Sequence, residues 1–157
     1  MQRISPFLWF DDQAEQAARF YVSLFPNSRI LEVSRFGEDA PGPVSGVTTV
    51  GFELDGVRFI ALNGGPLYSF TEAVSFFVLA EDQTEIDRLW DALTADGGEP
   101  GRCGWLKDRW GLSWQIAPPV MNELIADPDR ARSARVVEAM MTMGKIEIAG
   151  LLAAAEG

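Results

Sequence analysis

Two stretches of the chain place apolar residues at helical spacing, and the segments between them alternate or run together as strands do. Ala14, Ala17, Ala18, Tyr21, Leu24 and Phe25 share one face of a helical period, as do Ile86, Leu89, Trp90 and Leu93. Both helices are entered through a matching hexapeptide, DDQAEQ at 11–16 and EDQTEI at 81–86. Asp12 and Asp82 are the expected N-caps, with Glu15 and Glu85 three residues on as in a capping box. Pro26-Asn27 closes the first helix and Gly97-Gly98 the second. A strand precedes each cap, ISPFLWF in one case and AVSFFVL in the other.

The segments C-terminal to the two helices are also alike. After the first come SRILEVSRF (28–36), a Pro/Gly-rich loop EDAPGPVSG, VTTVGFEL (47–54), a tight turn at Asp55-Gly56 and VRFIALN (57–63). After the second, EPGRCGWLKD (99–108) leads to a turn at Trp110-Gly111 and LSWQIA (112–117). Strand, helix and several strands therefore occur twice, at 3–64 and 73–117, a βαβββ duplication. Residues 119–155 fit neither copy. There VMNELIA suggests a short helix, Asp127-Pro128 an N-cap with a first-turn proline, and DRARSARVVEAMMTM and the small-residue tail further helices. The predicted fold is α+β, a single domain over 1–157 with mixed sheets and a C-terminal helical extension.

Composition narrows the function. The chain has 157 residues, 47% of them hydrophobic, which is ample for one core. Its formal net charge of −10 opposes binding to phosphate backbones or anionic lipid, so nucleic acid and membrane are not expected partners. No apolar run is long enough to span a bilayer, and MQRISPFLWFDD is too short and too acidic for a signal peptide. The single cysteine suits a cytoplasmic protein. There is no histidine, which removes Ser-His-Asp and Cys-His catalysis and imidazole as a metal ligand.

The tandem βαβββ pattern, with CGWLKDRWGLSWQIAPP (103–119) and MMTMGKIEIAGL (140–151), resembles the PhnB-like branch of the vicinal oxygen chelate superfamily. That superfamily includes glyoxalase I, bleomycin-resistance proteins and extradiol dioxygenases, and many sequences of the branch carry the label 3-demethylubiquinone-9 3-methyltransferase. The resemblance implies cupped sheets around a pocket, usually with a divalent metal held by the first and last strands of each module. Carried over by the repeat, those positions read Ser5, Ile60, Ser75 and Gln115. Neutral hydroxyls and an amide compensate a divalent ion's dehydration poorly, so no metal and no other cofactor is expected. Nor does the label bring a recognisable S-adenosylmethionine site, because no Gly-rich turn joins a strand to a helix.

Strand parity then assigns faces. Ser5, Phe7 and Trp9 share one, as do Ser75, Phe77 and Leu79, and as do Ser113, Gln115 and Ala117. Leu112, Trp114 and Ile116 point to the helices. Phe7, Trp9, Phe77 and Trp105 are candidate walls for a planar ligand, or else ordinary core aromatics. Gln115 either orients a neutral polar ligand group or is satisfied by neighbouring backbone or Ser113. Cys103 reads as an inert small hydrophobe, Lys107, Asp108 and Arg109 as solvent-facing charges, and Asn63 as an Asx-turn residue. The expected function is metal-free binding of a partly aromatic small molecule, as a homodimer. The alternative is an enzyme of the same superfamily, a metal-independent or unorthodox-metal isomerase, lyase or transferase, the methyltransferase of the label included.

Overall fold

The computed structural model describes residues 2–39 and 47–157. The expected Pro/Gly-rich loop falls largely on residues 40–46, outside the described residues. The chain divides into two compact units, Met1–Phe70 and Thr71–Gly157.

In the first unit, β1 (Phe7–Phe10), α1 (Ala14–Leu24), β2 (Arg29–Arg35), β3 (Thr48–Leu54) and β4 (Val57–Asn63) form a four-stranded sheet ordered β1-β4-β3-β2. β1 runs parallel to β4, and the other pairs are antiparallel. Asp55 and Gly56 link β3 to β4 with φ of 46° and 76°, the doubly positive geometry of a type I′ hairpin. Alternation puts Leu8, Phe10, Val50, Phe52, Leu54, Phe59 and Ala61 in the core. The α1 face of Ala14, Ala17, Ala18 and Tyr21, each fully buried, completes it. The three alanines let the helix lie close to the sheet.

The second unit repeats this order. β5 (Ser75–Leu79), α2 (Gln83–Thr94), β6 (Glu99–Pro100), β7 (Trp105–Lys107) and β8 (Ser113–Ala117) give a sheet ordered β5-β8-β7-β6, again with its first and last strands parallel. Ile86, Leu89, Trp90 and Leu93 of α2 are buried, as are Leu106, Trp114 and Ile116 of the strands beneath. The α+β duplication is therefore present, with trimmed middle strands in the second copy.

The helix starts differ from expectation in one copy. Asp82 caps α2, accepting from the Glu85 amide at 2.8 Å, while Glu85 reaches back to the Glu81 amide at 2.8 Å. Asp12 does not cap α1. In the alignment of the repeats α1 starts one residue later than α2, so Gln13 occupies the N-cap position without a side-chain bond, and Asn63 Oδ1 at the end of β4 accepts from the Ala14 amide at 2.7 Å. Asn63 is thus a helix cap supplied from a strand, not an Asx-turn residue.

Three helices complete the chain: α3 (Pro119–Ile125), α4 (Arg130–Thr142) and α5 (Ile148–Glu156). The N-cap of α4 is Asp129, accepting from Ala131 and Arg132, rather than Asp127. Asp127 instead accepts from the Asp129 amide and pairs with Arg132 at 3.1 Å. Met121, Leu124, Val136, Ile146, Leu151 and Ala155 form a common core with Ala117 of β8. The segment between α4 and α5 is fastened to the second sheet's periphery. Cys103 and Gly104 amides donate to the Met143 and Gly144 carbonyls at 2.8 Å each. Lys145 pairs with Asp87 of α2 at 2.7 Å.

Candidate functional site in the second unit

The face of the second sheet turned away from α2 carries two rows of side chains set by strand register. One row is Phe77, Gln115 and Trp105; the other is Ser75, Ser113, Lys107 and Glu99. Gln115 Nε2 links the rows by donating to Ser75 Oγ at 2.9 Å. The amide is therefore satisfied across to β5, not by Ser113. Ala117, of the same parity, is buried beneath the C-terminal helices and closes that end of the face.

The second row borders a cavity of about 190 Å³ lined by Glu72, Glu99, Pro100, Gly101, Trp105, Leu106, Lys107 and Ser113. Ser113 is 1% exposed, and its hydroxyl has no hydrogen-bond partner among the described residues. Lys107 is ion-paired with Glu72. That bond holds the Glu72 carboxyl below its ordinary 4.5 and the Lys107 ammonium above its ordinary 10.5, so both are charged through the neutral range. Glu99 adds a second carboxylate, which supports the Lys107 charge electrostatically.

The turn beyond Lys107 corrects an expectation. Asp108 is not a solvent-facing charge but 2% exposed. Its Oδ1 accepts from the Trp110 and Leu112 amides at 2.9 and 3.1 Å, and its Oδ2 from Trp114 Nε1 at 3.0 Å. One carboxylate thus shapes the 108–112 loop and fixes the indole of a core tryptophan. Arg109 is also largely covered, pairing with Asp96 at 3.0 Å over the Trp110 ring at 5.3 Å. Trp114 is 2% exposed on the helix side, as parity requires.

The sequence-derived candidates of the first unit are arranged differently. Phe7 is 58% exposed, and Ser5 is half-buried, with Gln2 Nε2 at 3.4 Å from its hydroxyl. The Trp9 indole donates to the Gly65 carbonyl at 2.8 Å and meets Tyr68 edge-on at 5.0 Å between centroids. A Cβ on Gly64 would lie 2.3 Å from the Trp9 ring, so the loop needs glycine to pass over it. Trp9 is held by its own loop rather than standing open. Phe77, by contrast, is 47% exposed beside Gln115.

The sequence profile described as 3-demethylubiquinone-9 3-methyltransferase matches residues 2–117. The chain belongs to that family. It is the PhnB-like branch of the vicinal oxygen chelate superfamily that the 103–119 motif indicated. The PhnB protein of Bacillus cereus, described as a 3-demethylubiquinone-9 3-methyltransferase, is 34% identical over 74% of this chain and 99% of its own, with a TM-score of 0.67. Protein PA1353 of Pseudomonas aeruginosa (16% identity, 75% and 98% coverage, TM-score 0.57) shares the fold. So does the fosfomycin resistance protein FosX of Mesorhizobium loti (15%, 81% and 100%, TM-score 0.57). No curated protein matches the chain.

The donor set at the superfamily's metal positions does not fit a metal in this member of the PhnB-like family. In the first unit the positions hold a hydroxyl at Ser5 and an alkyl group at Ile60. In the second, the Gln115 amide nitrogen is turned to the Ser75 hydroxyl. None supplies anionic charge or an imidazole. Among the described residues, no three His, Cys, Asp or Glu side chains are grouped to hold a metal ion. Cys103 lies on the approach to β7 with φ of 56° and its sulfur 3.6 Å from Met141 Sδ.

Glu72, Glu99, Pro100 and Gly101 were not among the sequence-derived candidates, and Lys107 was read only as a surface charge. Period-two pairing from Ser113 through Lys107 reaches Glu99 and would have found it, once the β6–β7 register was fixed. Glu72 precedes β5 and carries no such signal. No helix among the described residues is long and apolar enough to cross a membrane.

Proposed function

We propose that this chain binds a compact, partly aromatic small molecule, without a metal, in the cavity on the second sheet. The observation that carries the reading is the Ser113 hydroxyl, buried in the cavity lining without a partner among the described residues. A buried hydroxyl left unbonded costs about 1–3 kcal/mol, a deficit that a ligand with one matching polar group removes. Trp105 supplies a flat wall of the cavity, and Gln115, oriented by Ser75, stands next to Trp105 in the adjoining row. Ligand sites commonly join apolar walls to a few placed polar groups in this manner.

The methyl transfer in the family's description is not part of this reading. The strand-to-helix connections, Asp11–Gln13 and Ala80–Asp82, contain no glycine, so neither offers a Gly-rich phosphate or nucleotide turn. The reading also includes a homodimer in the cytoplasm. Ile4, Phe7, Phe77 and Leu79, all more than two-fifths exposed, offer apolar surface for self-association.

Ligand-observed NMR screening of small aromatic alcohols, amines and acids against the wild type and Ser113→Ala tests the proposal. Hits that weaken several-fold in the variant support it. Hits unaffected by Ser113→Ala, or no hits, overturn it. Light scattering on the purified chain reads the dimer directly.

A further inference from the structure

The charge around the cavity is unbalanced. Lys107 is paired with Glu72 and also feels Glu99, so one cation faces two carboxylates. The lining therefore presents one carboxylate in excess, on an exposed edge strand directly across from Lys107. The Ser113 hydroxyl, without a partner among the described residues and able to accept an N–H, lines the same cavity, as does Trp105. A carboxylate, a hydroxyl acceptor and an indole are together the complement of an ammonium group on a small organic body, since indole attracts a cation to its face. The chain as a whole, at −10, draws cations toward it and repels anions.

Resting on the binding function proposed above, we infer that the ligand is a compact organic cation, an arylalkyl ammonium in chemical class. Its charged nitrogen lies against the Glu99 carboxylate and its apolar body against Trp105, in the cavity that Ser113 also lines. Lys107 is not available to an anionic ligand without breaking its pair with Glu72, so the same groups that favour an amine disfavour a carboxylic acid. The cavity admits a single small ring with a short arm rather than a drug-sized molecule, whose sites run from about 300 Å³ upward.

Benzylamine, benzyl alcohol and benzoate form a matched series differing mainly in charge. Their dissociation constants at neutral pH, with the Trp105 indole N–H signal followed in labelled full-length protein, separate the possibilities. The expected order is benzylamine tightest by about five- to tenfold, then benzyl alcohol, then benzoate. Glu99→Gln, on an exposed strand, should erase the amine's advantage over benzyl alcohol, and added salt should shrink it. If benzyl alcohol or benzoate shifts Trp105 as strongly as the amine, the cation inference falls and the cavity remains a binding site. If none of the three shifts Trp105, the cavity reading falls and takes the inference with it.

Discussion

Gln83 and Ile146 are joined across 63 residues of sequence: the Gln83 amide nitrogen donates to the Ile146 carbonyl at 3.0 Å. The carbonyl oxygen of the same side chain accepts from the Ile148 amide at 2.9 Å. One glutamine in the first turn of α2 therefore replaces a strand's worth of pairing for the segment that enters α5. Gln83→Ala leaves both backbone groups without their partner, and should destabilise the second unit by about 1–3 kcal/mol in urea unfolding. Amide exchange should accelerate first at residues 143–150.

Asp108 is the second polar hub. Replacing it by alanine removes the acceptor for two loop amides and the Trp114 indole, all in or next to the core. The expected loss is about 2–4 kcal/mol, with a changed near-ultraviolet circular dichroism band from the released indole. A stability change inside experimental error would show that the carboxylate does not organise the turn.

Asn63 gives a prediction with a built-in control. Asn63→Ala removes the cap on α1 and should cost about 1 kcal/mol. Asn63→Asp keeps an acceptor and places a negative charge at the helix N-terminus, so it should match or exceed the wild type at neutral pH. Thermal or urea unfolding of the two variants side by side checks the order.

The Asp87–Lys145 pair makes attachment of the extension pH-dependent. Its bond to Lys145 lowers the Asp87 pKa from 3.8, so this contribution is complete above that value and disappears as pH falls through the folded pKa. Its bond to Asp87 raises the Lys145 pKa from 10.5, so the contribution is complete below that value and is lost as pH rises through the folded pKa. Limited proteolysis around residues 143–148 should therefore be slow between about pH 4 and pH 10 and faster beyond either end. Asp87→Asn should be cleaved faster than wild type within that window, and the two should converge in acid.

Much of this architecture is legible in the residues themselves. The DDQAEQ/EDQTEI pair, the helical periods behind it and the Asp55-Gly56 turn carry the repeat, because short-range capping and turn chemistry write themselves into adjacent positions. Trp114 falls on the covered face by parity alone. The failures share a cause. Asp12 and Asp82 look equivalent, yet α1 starts one residue later in the repeat than α2, which leaves Asp12 outside the N-cap position and hands the cap to Asn63, distant in sequence. Asp108 sits among charges at a turn and reads as solvated, because its indole partner is visible only after the chain folds back. The cavity's acidic edge depends on the β6–β7 register, and Glu72 reaches Lys107 from a loop with no periodic signature.

The shared strand order has a mechanical consequence. In each module the first and last strands are parallel neighbours, so the chain enters beside the start of the last strand and leaves beside the end of the first. Tension applied to a module's two ends pulls those strands past one another along their length. The bonds between them then share the load at once, instead of opening in turn as at the end of a hairpin. A module of this design yields abruptly, at one high force, where a sheet with antiparallel outer ends would peel.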